Sequence, residues 1–352
     1  MNVEERYGTF NPNDPGVANG KLFGLPHAVE DCKLVVIPVP WEVTVSYGTG
    51  TADGPEKMLE ASLQVDLFDS EFPDGWKQGI GMLEIPMHLK ELSEHWQQVA
   101  QSIIQAQAAG EKLAEESAMV EGINAACEEM NAWVRSQSLA CLDRGQIPVV
   151  LGGDHSTPLG QIQALAEKMG PFSILQIDAH CDLRNSYEGF QYSHASIMHN
   201  ALQLPEIQRL VQVGIRDYCQ EEHEYVEASE ERVLMFEERY RMAHRYYGRT
   251  WQEQCSEIIG HLPELVYVSI DIDGLDPSLC PHTGTPVPGG LQFEELIFLF
   301  REVLRSGRQI IGFDLVEVAP GPDGNEWDAN VGARLLYRLA NLSLLFHKQA
   351  EA

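Results

Sequence analysis

Apolar residues fall along this chain in two patterns: short continuous runs, which suit strands buried on both faces, and stripes recurring every three or four residues, which suit helices. The first run, Leu34–Val39, ends among Pro38 and Pro40 and predicts a buried strand. Gly54-Pro55 before EKMLEASLQV predicts a helix start with proline in its first turn. Residues 89–144 contain no proline, and Ile123, Cys127, Met130 and Val134 share one helical face. Two long helices, about 89–108 and 113–144 with Gly145 as C-cap, are predicted as an insertion serving as scaffold or oligomer contact. Strand-like runs then follow at 147–151, 173–177, 210–214, 265–270 and 309–315. Helical segments lie between and after them, near 158–169, 194–203, 220–228, 250–260, 292–306 and 329–348. This alternation predicts a mainly parallel, doubly wound sheet in a three-layer α/β/α arrangement. The chain reads as one domain over 1–352, with an arm at 1–30 and a site-bearing core at about 147–320. The aromatic-rich stretch 236–251 is expected to be core and partner contact.

Composition narrows the choices. The formal net charge is −29, from 24 Lys+Arg against 53 Asp+Glu, which argues against nucleic acid or an anionic membrane as partner. It suits a cationic ligand, carboxylates gathered on metal ions, or a salt-adapted surface. No apolar run approaches the roughly 20 residues of a membrane helix, and the N-terminus lacks a secretory pattern. The seven cysteines are irregularly spaced without CxxC, which argues for reduced thiols and a cytoplasmic location.

In a parallel sheet the chemistry sits beyond the C-terminal strand ends. Here those ends read Gly152-Gly153-Asp154-His155-Ser156, Asp178-Ala179-His180-Cys181-Asp182, Asp271-Ile272-Asp273-Gly274-Leu275-Asp276, and Glu317. Asp178, Asp182, Asp271 and Asp273 would be four crowded anions, which cannot all ionise without neutralisation. Two divalent cations supply it, with His155 and His180 as nitrogen ligands, and mixed carboxylate–imidazole donors favour transition metals over calcium. A water held between such ions becomes a nucleophile near neutral pH. Asp154 reads as a structural hydrogen-bonding residue, Asp276 as fixing its DGLDP turn and Cys181 as packing.

GGDHS, DAHCD and SIDIDGLDP, in this order, resemble the three signatures of the ureohydrolases: arginases, agmatinases, formimidoylglutamases and their relatives. GTADGPE, TGTPVPGGL and DLVEVAP add to the match, which runs from about Val36 to Leu345. The resemblance implies the arginase/deacetylase-like fold and a binuclear centre of manganese or, alternatively, nickel. It assigns His155, Asp178, Asp182 and Asp271 to one metal and His180, Asp178, Asp271 and Asp273 to the other. It implies that a metal-bridging hydroxide attacks a guanidino carbon, releasing urea and an amine or ammonia. Glu317 would grip the guanidinium, while Asp182 and His194 would carry protons. The loop 182–196 is similar to agmatinases, with Arg184, Asn185, Tyr187 and Glu188 expected at the rim. Asp217 falls where arginases hold an acid facing the substrate's amino group, and His282 replaces an expected small residue. An agmatinase-like enzyme converting agmatine to putrescine and urea is the first expectation. A guanidine hydrolase, an arginase or guanidino-acid hydrolase, and a non-catalytic binding protein on the same fold are the alternatives. A homo-oligomer, trimer or hexamer, is expected.

Overall fold

The computed structural model describes residues 10–111, 113 and 116–351. Eight strands, β1 (Leu34–Val39), β2 (Ile80–Met82), β3 (Ile147–Gly152), β4 (Phe172–Ile177), β5 (Ile207–Val213), β6 (Val233–Phe236), β7 (Leu265–Ile270) and β8 (Gln309–Leu315), form a single sheet. Every pairing is parallel, and the strand order is β2-β1-β3-β8-β7-β4-β5-β6. Strands β1, β3 and β4 are buried along their whole length, and β7 and β8 from their second residue on, because helices cover both faces, which is why they read as nearly unbroken apolar runs. The three-layer α/β/α expectation holds.

The helices are α1 (Gly54–Ser62), α2 (Met87–Ala108), α3 (Glu116–Asp143), α4 (Leu159–Met169), α5 (Ile197–Ala201), α6 (Gln220–Ala228), α7 (Glu238–Tyr246), α8 (Trp251–Gly260), α9 (Phe293–Arg305) and α10 (Trp327–Glu351). The predicted insertion is α2 and α3; part of its turn, and the first nine residues of the expected arm, lie outside the described residues. Ile123, Cys127, Met130 and Val134 all point into a core shared with Val35, Ile37 and Val39 of β1. Gly145, at φ 68°, ends α3 in the left-handed region, and its successor Gln146 donates its N–H to the Cys141 carbonyl.

Three elements differ from the sequence reading. Edge strands β2 and β6 are three and four residues long, too short to show a period. Helix α7 lies within the aromatic-rich stretch, which is not core: Tyr240, Tyr246 and Tyr247 are exposed, and only Phe236 and Trp251 pack against the main core. The reason is charge. Arg241 on the inner face of α7 is buried against Glu238 and Glu295, so this helix docks through ion pairs and leaves its tyrosines outside. Among the described residues, no helix is long and apolar enough to cross a membrane.

Candidate metal and substrate site

The four central strands, β3, β8, β7 and β4, are neighbours in the sheet, and each delivers acid or imidazole groups at its C-terminal end. Beyond β3, Gly153 allows the chain to pass the Trp41 carbonyl: a Cβ there would lie 2.1 Å from that oxygen. The turn that follows is held by Asp154, whose carboxylate accepts the Ser156 N–H. This turns the His155 ring inward.

His155 Nδ1 lies 2.9 Å from Asp178 Oδ2, 3.0 Å from Asp182 Oδ2 and 3.4 Å from Asp271 Oδ2. Despite these approaches, Nδ1 is buried without an acceptable hydrogen bond. A second group forms where His180 Nδ1 lies 3.1 Å from Asp273 Oδ2 and 3.6 Å from Asp178 Oδ1. Among the described residues, two potential cation sites therefore exist, His155–Asp178–Asp271 and Asp178–His180–Asp273, and they share Asp178. The donor set fits a pair of divalent ions. An orphaned imidazole nitrogen aimed at three carboxylates, with Asp178 and Asp273 almost wholly excluded from water, suits a metal ion better than a hydrogen bond.

Several of the remaining valences of these residues are occupied. His155 Nε2 is 2.8 Å from Ser269 Oγ, which orients the ring. Gln212 donates to Gln176, and Gln176 donates to Asp178 Oδ2 at 2.8 Å. Asp273 Oδ1 accepts the Ala179 N–H, and the Arg216 guanidinium clamps the Asp273 and Leu275 carbonyls. The sequence reading missed these supports. Ser269 and Gln176 each precede a ligand by two residues in a strand and so share its face, which was the available signal. Arg216 carried none, because it acts across the sheet.

Asp182 and Glu317 both adopt left-handed backbone, at φ 55° and 63°, a conformation costing about 1–3 kcal/mol for such residues. Glu317 Oε1 accepts the His155 N–H at 2.8 Å, and the carboxyl is buried beside the ligands. Burial pushes Glu317 well above the usual carboxylate range, the Asp154 charge adds to this, and the His155 N–H opposes it. Burial and Asp178 push Asp182 up to about 7. Burial, then the charges of His180 and His155, hold His194 down to about 4.

A cavity of about 380 Å³ opens above this floor. His155, His180, Asp182, Asp271 and Glu317 form its base, and Arg184, Tyr187, His194 and Asp217 line its sides. Ser46, Tyr218, Cys219, Glu222 and Thr285 also line it, and sequence reasoning had not named them. Asn185, Glu188 and His282 are not among the lining residues. His282 faces away because its ring and N–H bind the buried Asp328 carboxylate at 2.8 and 2.9 Å. The Arg184 guanidinium stacks over the Tyr187 ring at 4.8 Å. Asp276 caps its own turn through Ser278, and Cys181 packs on Met235.

Similarity to known proteins agrees with this geometry. N(1)-aminopropylagmatine ureohydrolase of Thermus thermophilus is 33% identical over 313 residues, which cover 89% of this chain and 91% of that protein. The agmatinase of Bacillus subtilis is 35% identical over 199 residues, covering 55% of this chain and 63% of its own. The crystal structure of agmatine ureohydrolase from Thermoplasma volcanium superposes with a TM-score of 0.71 at 23% identity, over 98% of this chain and 99% of that one. Residues 32–341 match the Arginase family, a span that holds every ligand and wall residue described above, and the chain belongs to that family.

Proposed function

We propose that this protein is a binuclear-metal amidinohydrolase that splits a C–N bond of a small guanidino cation with water, giving urea and an amine. Agmatine, giving putrescine and urea, is the substrate this reading places first. One observation carries it: two cation sites sharing Asp178 form the floor of a cavity in which the Glu317 carboxylate stands beside them.

His155, Asp178, Asp182 and Asp271 would hold one ion, and His180, Asp178, Asp271 and Asp273 the other. When bound, the ions lower the pKa of water and polarise the group it attacks. The protein's own groups do the rest. Glu317 is an acceptor for guanidinium N–H groups and fixes the plane of the cation over the floor. Arrival of that cation favours the ionised carboxylate that burial alone disfavours. Asp182, on the cavity floor, would take a proton from the attacking water. His194 is neutral at working pH, so it can receive that proton and pass it to the departing nitrogen. Arg184, stacked on Tyr187, closes one side of the rim, while Asp217 offers a carboxylate to a distal amine of the substrate. The cavity volume lies in the range of sites for extended small molecules rather than the smallest cations. The agmatinase-type relatives also support an amine-bearing tail.

Manganese is the first metal to load and nickel the second, since the same donors accept both. We also propose a cytoplasmic homo-oligomer, trimer or hexamer, which light scattering would reveal as three or six times the 39.3 kDa chain mass. The deciding test measures urea release by enzyme loaded with each metal on agmatine, arginine, guanidinobutyrate, guanidinopropionate and guanidine. Preference for agmatine is expected. Turnover of guanidine alone, or of none of the panel, would overturn the agmatinase-like reading.

A further inference from the structure

The long helices α2 and α3 carry no cavity-lining residue, yet one stripe on each reaches a loop that does. On α2 the stripe is Lys90, Ser93, Gln97 and Gln101, spaced for one helical face. Ser93 Oγ accepts the Glu42 N–H at 3.0 Å, and Gln97 donates to Glu42 Oε1 at 2.8 Å. Gln101 donates to the Val45 carbonyl at 2.7 Å. The buried Glu42 in turn collects the Gly50 and Ala52 N–H groups with its other oxygen. The loop between them carries Ser46 to the cavity wall.

On α3 the stripe is Val120, Asn124 and Glu128. Asn124 Oδ1 accepts the Gln191 N–H at 3.1 Å, and Glu128 accepts the Tyr192 hydroxyl at 3.2 Å. A Cβ at Gly189 would lie 3.7 Å from the Val120 side chain, so the turn runs close to the helix there. These contacts hold the tight turn in which Tyr187 and Phe190 exchange backbone hydrogen bonds, and Tyr187 lines the cavity. Both loops also send an apolar anchor into the same core between the helices: Val43 from one, Phe190 from the other, beside Ile103 and Ile123.

We propose that the α2–α3 hairpin is the positioning element of the substrate rim. Through Gln97, Gln101 and Asn124 it holds the loops bearing Ser46 and Tyr187, and so sets how tightly substrate binds without touching the bond-breaking groups. The proposal rests on the amidinohydrolase reading for its kinetic arm only. A buried apolar core would suffice if the insertion served stability alone; two polar stripes, each satisfying backbone groups of a different wall loop, indicate that loop position is being specified.

The test uses metal-loaded enzyme with Gln97→Ala/Gln101→Ala, with Asn124→Leu, and with Asn124→Asp, which keeps the acceptor oxygen. Metal content, KM and kcat on agmatine, and deuterium exchange of segments 42–53 and 187–192 are measured. The expected result is unchanged metal content, KM raised about tenfold and kcat within about twofold. Exchange should quicken in 42–53 for the glutamine pair and in 187–192 for Asn124→Leu, with Asn124→Asp keeping KM and exchange near those of the wild type. Unchanged KM, a fall in kcat at constant KM, or unchanged exchange would overturn the proposal. A wild-type chain inert on every guanidino compound would instead sink the amidinohydrolase reading, and the exchange pattern would then decide the clamp.

Discussion

Asp178 is the residue on which the site turns, because both ligand groups need it. Asp178→Asn removes one negative charge from two cation sites at once, so bound metal should fall from about two ions per chain to below one and urea release should drop at least about a thousandfold. Metal analysis of the purified variant checks the first and a coupled urea assay the second; retained turnover would rule out the metal mechanism. Ser269→Ala should act more gently. It frees the His155 ring without removing a ligand, and metal affinity should weaken by about 10- to 100-fold in a competition titration. His194 carries a pH prediction. Its ring is held down to about 4 in the fold against 6.5 for the free side chain. The unfolded chain therefore binds this proton more readily in that window, and stability falls as pH drops from about 6.5 towards 4. His194→Gln should lose less Tm than the wild type between neutral pH and pH 5, with both kept metal-saturated. The candidate ligand types were legible in the sequence because four aspartates crowded at strand ends are costly without a counter-ion, whereas the role expected of Glu317 came from the family resemblance. The destiny of His282 was not: its partner Asp328 lies 46 residues away, and nothing local predicts that pairing.

At the scale of elements, the apolar runs and stripes predicted most strands and helices, because burial on both faces leaves little choice of residue. The exceptions were those whose stability is borrowed. β2 and β6 exist because β1 and β5 supply their pairing, and α7 is docked by Arg241 with Glu238 and Glu295 instead of by an apolar stripe. Gly153 marks where one element meets another. Gly153→Ala would force a methyl into the Trp41 carbonyl at 2.1 Å, and the β3 end, the His155 turn or both must move. Tm should fall by several degrees, corresponding to about 1–3 kcal/mol of overpacking, with metal binding weakened in the same variant. Met130→Ala tests the insertion differently. It empties a fully buried position between α3 and the sheet and should cost about 2–5 kcal/mol in denaturant melts, leaving the metal site intact.

At the scale of the whole molecule, the buried carboxylates are a liability that bound cations would relieve more fully than protons or imidazoles. Chelation should lower Tm by well over the shift of an ordinary point substitution, and re-addition of manganese should restore it; a Tm indifferent to chelator would mean that the acids are neutralised by protons instead. The sequence by itself determined most of the elements and the fact that four strand ends carry acid or imidazole groups, since each follows from local periodicity and from residue types that stand out at those ends. The tertiary structure alone decided that these strands stand side by side as β3-β8-β7-β4, although β3 and β8 are far apart in the chain. It also decided that Arg216, Gln212 and Ser269 support the ligands, and that two helices with no catalytic group grip the walls of the cavity. Strand order and cross-loop hydrogen bonds are long-range choices, fixed by which packing buries every apolar face at once, and no short window of sequence contains them.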